Sequence, residues 1–172
     1  HDEIKKFVGK EFQDAPIIPV STLQSVNISE VLKKITEIPI PDRKLSETPI
    51  FVVARSFDIN KPGTAPKNLH GAVLGGTLLQ GKLKVGEKIE IKPGKATTQN
   101  NEKKYSQIKT KILSLFKGST KVQELTPGGS SSIETELDMS LGKNDSLGGN
   151  VVSLEGKLPE PSNSLSLSYS LF

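Results

Sequence analysis

Apolar residues in the first forty positions fall at helical spacing on both sides of a short hydrophobic run. Ile4, Phe7, Val8 and Phe12 stand at i, i+3, i+4 and i+8, which predicts one face of a helix. Ala15 to Val20, APIIPV, reads as a short buried strand. Asn27-Ile28-Ser29-Glu30 has the form of a capping box with Asn as the cap. Ile28, Val31, Leu32 and Ile35 then continue a helix until Pro39. Helix, strand, loop, helix is half of an α/β layer and cannot cover both faces of a sheet. Residues 1–38 are therefore expected to be the closing part of a larger unit.

Pro39 to Pro49, PIPDRKLSETP, reads as a stiff polar linker, set at residues 39–48. Beyond it the texture is all-β. Strand candidates are Ile50–Ala54, Ala72–Leu79, Lys88–Lys92, Ile108–Phe116, Lys121–Leu125, Ser131–Leu137 and Val151–Glu155. Turn signals at Pro62-Gly63, Val85-Gly86-Glu87, Pro93-Gly94, Pro127-Gly128-Gly129 and Gly148-Gly149 separate them. Short strands so punctuated predict a closed or nearly closed antiparallel β-barrel over residues 49–158. Gln99 to Lys104 reads as a mobile hairpin tip. Pro159 to Asn163 reads as a second linker, and Ser164 to Phe172, SLSLSYSLF, alternates like a strand with Leu165, Leu167, Tyr169 and Leu171 on one face. Its partners are not in the chain, so residues 159–172 are expected to be a linker and the first strand of a third, β unit. The fold class is mainly β with an α/β fragment.

Composition narrows the function classes. About a third of the 172 residues are hydrophobic, enough for a core, and no apolar run approaches the ~18 residues of a spanning helix. HDEIKKFVGKEF lacks the apolar stretch of a signal peptide. Cysteine is absent, which removes disulfides and thiolate metal sites and fits a reducing, cytoplasmic setting. The net charge of +4 permits an anionic partner, but Lys and Glu are interleaved, and charge alone favours the plainer reading of a solvated Lys-rich surface.

Catalytic patterns are missing. His1 and His70 lack metal-pair spacing, no acidic pair stands out, and no G-x-S-x-G elbow occurs. A P-loop needs G-x-x-x-x-G-K-[ST], yet Gly94-Lys95, Gly142-Lys143 and Gly9-Lys10 are followed by Ala96, Asn144 and Glu11. Asn60-Lys61-Pro62-Gly63 opens like a guanine-specificity motif, but Gly63 replaces the acid. This stretch of chain does not hydrolyse a nucleotide by itself.

One cluster stands out, RSFDINKPG, from Arg55 to Gly63 at the exit of an apolar run. With APIIPVS, Gly71-Ala72-Val73-Leu74-Gly75-Gly76, LLQGKLKVGEKIEIKPG, Ile112-Leu113-Ser114-Leu115-Phe116, Pro127-Gly128-Gly129 and Leu158-Pro159, it resembles the γ subunits of archaeal and eukaryotic translation initiation factor two, relatives of elongation factor Tu. The resemblance covers most of the chain in order. It departs at Ser21-Thr22-Leu23, where the family usually has Ser-Ala-Leu or similar, and at Ser130-Ser131-Ser132, where the family is more apolar.

The resemblance implies the end of a P-loop GTPase domain, then a translation-factor barrel, then the start of a second barrel. It places Ser21, Thr22 and Leu23 at a loop that contacts guanine. GTP or GDP with Mg2+ would bind the full-length parent, with no cofactor bound by this stretch alone. Initiator methionyl-tRNA, the α and β subunits and the small ribosomal subunit become the expected partners, with no membrane. Arg55 and Lys61 would neutralise phosphates, Phe57 would stack, and Asp58 and Asn60 would read a sugar or base edge. Gly71, Gly75 and Gly76 would admit a backbone or a terminal adenosine. Each residue has a plainer reading: Arg55 pairing with Asp58, Phe57 in the core by alternation with Val53, Asp58 and Asn60 as turn formers, Lys61 solvated, the glycines as turn and bulge formers, Ser21 as a turn cap. Two rivals stand beside initiator-tRNA delivery, namely a protein-binding barrel with no RNA role and a relative acting in elongation or selenocysteine delivery.

Overall fold

The computed structural model describes residues 1–8, 10–12, 14–99, 102–162 and 164–169. The chain divides into two compact units, His1–Asp42 and Arg43–Phe172. In the first, helix α1 spans Asp2–Phe7, a 3-10 turn spans Lys10–Phe12, and α2 spans Ile28–Thr36. Acidic Asp2 and Glu3 in the first turn of α1 and Lys5 and Lys6 in its last turn oppose the helix dipole at both ends.

Two expectations fail here. Residues 15–20 form no strand. Pro16 and Pro19 each remove a ladder donor, and this unit offers no neighbouring strand among its described residues. The capping box is also absent, because Asn27 sits in the left-handed region (φ 59°) and donates its side-chain amide to the Pro19 carbonyl (2.9 Å) instead.

The second unit is the barrel. Its strands are β1 (Ile50–Phe57), β2 (Val73–Gln80), β3 (Leu83–Lys84), β4 (Lys88–Gln99), β5 (Glu102–Lys117), β6 (Thr120–Val122), β7 (Glu124–Leu125), β8 (Ser131–Thr135) and β9 (Val151–Leu154). The sheet runs β4-β9-β1-β2-β8-β5-β6, and pairing of β4 with β5 closes six of the strands into a ring, every pair antiparallel. β3 and β7 form a separate small pair. Alternation explains the core: Phe51 and Val53, Leu74 and Leu78, Ile89 and Ile91, and Ile133 point inward and are fully or almost fully buried. Burying a side chain such as Phe51 or Ile91 contributes about 1.5–3 kcal/mol.

The barrel departs from the sequence reading in four places. Pro93-Gly94 does not end its strand. The β4–β5 register breaks between Ile91 and Lys95, the Gly94 amide donates to Asn150 Oδ1 (2.6 Å), and pairing resumes through Gln99 and Glu102. The tip, Asn100-Asn101, lies outside the described residues. Lys121–Leu125 is split between β6 and β7, and β3 is too short to show a period. Residues 43–49 run along the barrel: the Lys44 carbonyl accepts from the Gly81 amide (2.8 Å), Thr48 from Gln80 Nε2 (3.0 Å), and Pro49 from Ser153 Oγ (2.6 Å). Residues 164–169 form no strand, and Leu165, Leu167 and Tyr169 are exposed. An alternating segment without a neighbouring edge has nothing to bond. Leu171, the fourth member of that face, lies outside the described residues.

Candidate nucleic-acid interface

Strand β1 carries the first half of the RSFDINKPG cluster. Val53 pairs with Gly76 and Arg55 with Gly75, so Ala54 is an extra residue and the strand bulges there. The bulge reverses the facing of the residues beyond it. Ser56 turns inward and is buried, accepting from the Leu147 amide at 3.1 Å, while Phe57 turns to the outer surface. The core reading of Phe57 assumed unbroken alternation and is thereby corrected.

Gly75 and Gly76 serve different ends. A Cβ at Gly75 would stand 2.8 Å from the tip of the Phe57 ring, so the ring lies across the space that this glycine leaves. A Cβ at Gly76 would stand 1.9 Å from the Val52 carbonyl oxygen, so Gly76 is required by backbone packing between β1 and β2. Gly71 is likewise pressed against the Thr135 carbonyl.

Beyond β1 the chain turns on Asp58. Its Oδ1 accepts from the Asn60 amide N–H (2.9 Å) and from Asn60 Nδ2 (2.7 Å). Asn60 in turn holds His70 from both sides: its Oδ1 accepts from the His70 amide (2.7 Å) and its Nδ2 donates to the His70 carbonyl (2.8 Å). Asp58 and Asn60 are thus turn formers whose side chains are largely committed to the loop. Lys61 is exposed, its carbonyl receiving the Thr64 amide and hydroxyl, and its ammonium has no ion-pair partner among the described residues.

A distant loop completes the rim. Residues 139–146 bring Lys143, Asn144 and Asp145 against Arg55, Ser56, Phe57 and Asp58 around an open groove of about 550 Å³. Asp145 accepts from Arg55 Nε (3.2 Å) and Nη2 (3.0 Å) and from the Ser56 amide (3.1 Å). The Arg55 guanidinium and then the Ser56 N–H hold the Asp145 carboxyl below the usual range. Lys143 Nζ stands 3.5 Å from Asp58 Oδ2. The Asp58 carboxyl is lowered by the Asn60 backbone and side-chain amides first and by Lys143 after them. Arg55 therefore pairs with Asp145, not with Asp58.

On the other side of Phe57 a smaller cleft of about 300 Å³ is walled by Phe57, Ile59, Val73 and Phe116, with His70 and Glu134 at its polar edge. His70 Nδ1 lies 2.6 Å from Glu134 Oε1, and the buried Ser114 hydroxyl donates to Oε2. Burial works against ionisation of Glu134, but the Ser114 hydroxyl, the His70 ring and nearby Lys121 outweigh it and hold the carboxyl below its usual range.

Sequence reasoning missed His70, Glu134 and the 143–145 loop. Only the run GKNDSLGGN hinted at the last, since Asn and Asp adopt the left-handed conformations found at Asn144 (φ 56°) and Asp145 (φ 54°).

In the first unit, Ser21 and Val26 exchange backbone hydrogen bonds across a tight loop, and Ser21 Oγ accepts from the Gln24 amide at 3.3 Å. Ser21 thus caps its turn. Leu23 at the loop tip is exposed, and the N–H groups of Thr22 and Leu23 have no acceptor among the described residues.

No protein-family profile matches the chain. Curated relatives do. It is 49% identical over 159 residues to translation initiation factor 2 subunit gamma of Pyrococcus furiosus, covering 91% of this chain and 39% of that protein. It is 47% identical over 167 residues to that of Pyrococcus abyssi, covering 96% and 41%. Its sequence belongs to the family of translation initiation factor 2 γ subunits. The chain spans about 40% of the length of these γ-subunit relatives. Among solved structures it superposes on translation elongation factor SelB of Methanococcus maripaludis, in complex with the GTP analogue GppNHp, with a TM-score of 0.64. Identity there is 17% over 90% of this chain and 30% of SelB, so this likeness bears on the fold alone. The mainly β architecture with its closed six-strand barrel matches the fold of the superposed part of SelB.

Proposed function

We propose that this chain is the part of an initiation-factor γ subunit that grips the acceptor end of methionyl initiator tRNA, in a GTP-dependent complex that delivers it to the small ribosomal subunit. The observation that carries the reading is the outward Phe57 ring, laid over Gly75 beside an apolar cleft. Two aromatic walls suit a stacked base, at about 1–3 kcal/mol per base. Arg55 and Lys143 in the adjoining groove suit the phosphates that precede it, with exposed Lys61 in the following loop as a further cation. Residues 1–38 then close a GTP-binding domain, 49–158 form the second domain, which would also hold the α subunit, and 159–172 lead into a third unit. The amides of Thr22 and Leu23, without an acceptor among the described residues, fit a guanine edge. No phosphate-binding loop occurs in this stretch, so nucleotide and Mg2+ would be held largely by other parts of the parent protein, whose setting is the cytoplasm. Among the described residues no helix is long and apolar enough to cross a membrane.

One observation favours the protein-binding alternative. Arg55 and Lys143 already have carboxylate partners, so the groove presents alternating charges that suit a protein surface. Filter binding of methionylated initiator tRNA to the full-length protein separates the readings. Phe57→Ala, Arg55→Ala and Lys61→Ala are expected to weaken binding, the last two lowering the salt slope by about one each. Unchanged affinity and slope in all three overturn the RNA reading. Equal affinity for methionyl and other aminoacyl-tRNAs points to elongation instead, and preference for selenocysteyl-tRNA to selenocysteine delivery.

A further inference from the structure

The outer face of β4 carries two charged side chains that solvent scarcely reaches. Glu90 is 1% exposed and Lys92 is 7% exposed, although they stand two residues apart on the side facing away from the core. The chain that leaves β9 covers them. After Leu154 it turns at Gly156 and folds back across β4. Buried charges need hydrogen bonds or an opposite charge in place of water: Glu90 is held by amide donors and Lys92 by carbonyls and a carboxylate.

Their partners lie mainly on the backbone of that returning segment. Glu90 Oε1 accepts from the Leu158 amide (2.6 Å) and Oε2 from Gln107 Nε2 (2.7 Å), with the amides of Gly156 and Lys157 also facing the carboxylate. Lys92 Nζ donates to the carbonyls of Leu158 (3.1 Å) and Pro159 (3.4 Å) and to Glu160 Oε1 (2.9 Å). One residue thus reads the donors of the segment and the other its acceptors. Sequence composition alone, with Pro159, Pro161 and Ser162, reads as a free linker.

We infer that Glu90 and Lys92 form a two-sided backbone clamp that makes residues 156–160 a fixed strap of the barrel. The joint in the chain lies beyond Pro161, so the residues after it leave the barrel in a set direction. Slack between the barrel and whatever succeeds it is thereby shortened to a few residues. This does not depend on RNA binding.

Amide hydrogen exchange of the 172-residue chain, monitored by NMR, tests it. In the unmodified chain the Leu158 amide is expected to exchange at least roughly 100-fold more slowly than that of Leu165 in the uncovered tail. Lys92→Met is expected to speed exchange at Leu158 by roughly 10- to 100-fold, the range for hydrogen bonds to charged groups. Lys92→Arg, which keeps charge and donors, is expected to restore most of the protection. Amides of Val53 and Leu74 report whether the barrel itself survives. If Lys92→Met unfolds the barrel, Glu90→Gln replaces it, with the same expectation at Leu158. A Leu158 amide as fast as Leu165 in the unmodified chain overturns the inference, and so does protection that survives the substitution.

Discussion

Arg55 and Asp145 lie ninety positions apart in the chain and meet as a two-pronged ion pair, Nε on Oδ1 at 3.2 Å and Nη2 on Oδ2 at 3.0 Å. The same carboxylate takes the Ser56 amide, so one side chain fixes both the cation and the bulged strand that presents it. If Arg55 meets phosphate, Asp145 is its resident competitor as well as its support. Asp145→Ala is expected to speed hydrogen exchange at Ser56 and to steepen the salt dependence of RNA binding as Arg55 is freed. Exchange at Ser56 that stays slow would show that the loop holds without this pair.

The two neighbouring glycines of β2 are expected to separate stability from binding. In Gly75→Ala the new methyl meets only the end of a side chain, so Phe57 swings aside at about 1–3 kcal/mol. If the Phe57 ring stacks on a base as proposed, RNA binding is expected to fall with it. In Gly76→Ala the methyl meets the Val52 carbonyl at 1.9 Å, and the backbone must move. That change is expected to cost about 4 kcal/mol or more. Urea denaturation of both variants checks the order, and equal losses contradict it.

Two buried hydroxyls, Thr110 Oγ1 and Ser131 Oγ, have no partner among the described residues. Thr110→Val and Ser131→Ala are each expected to raise stability by about 1 kcal/mol, since a desolvated, unbonded hydroxyl is removed at little cost in packing. A fall in the urea midpoint of either variant would mean that its hydroxyl is bonded in solution.

The pH dependence arises from the lowered carboxyls. Glu134 is held below its ordinary value of about 4.3 by Ser114, His70 and Lys121 against the cost of burial. A folded-state value below the unfolded one adds stability that is fully present above the unfolded value and is lost as pH falls through the folded one. Asp58 and Asp145 shift in the same direction. Stability is therefore expected to fall as pH drops below about 4, and Glu134→Gln to flatten that fall. Denaturant midpoints across pH 2–7 give the slope, and a slope unaltered by the substitution removes Glu134 from the account.

The β texture and the barrel are legible in the sequence because Phe51, Val53, Leu74, Leu78, Ile89 and Ile91 keep a period of two between strong turn signals. The bulge at Ala54 is not, since nothing in Val52-Val53-Ala54-Arg55 distinguishes a paired residue from an extra one until the partner strand fixes the register. That one unpaired residue decides whether Phe57 is core or surface. Asp58 and Asn60 are recognisable as turn formers because their bonds are local. Asp145, Lys143, His70 and Glu134 escape because the ion pairs Arg55–Asp145, Asp58–Lys143 and His70–Glu134 each join residues at least 64 positions apart. The strand expected at residues 15–20 fails for the converse reason, as apolar character is present without a neighbour.

Pairing of β4 with β5 leaves the ring without a seam. A sheet with a free margin can open like a fan when something is pushed between its members, but a hoop resists, because spreading at β1 and β2 must be taken up all the way round. The strands beneath the cleft beside Phe57 are accordingly held by the whole ring, and what can move there is the side chains. If a base enters that cleft, it meets movable side chains carried on a closed ring of backbone.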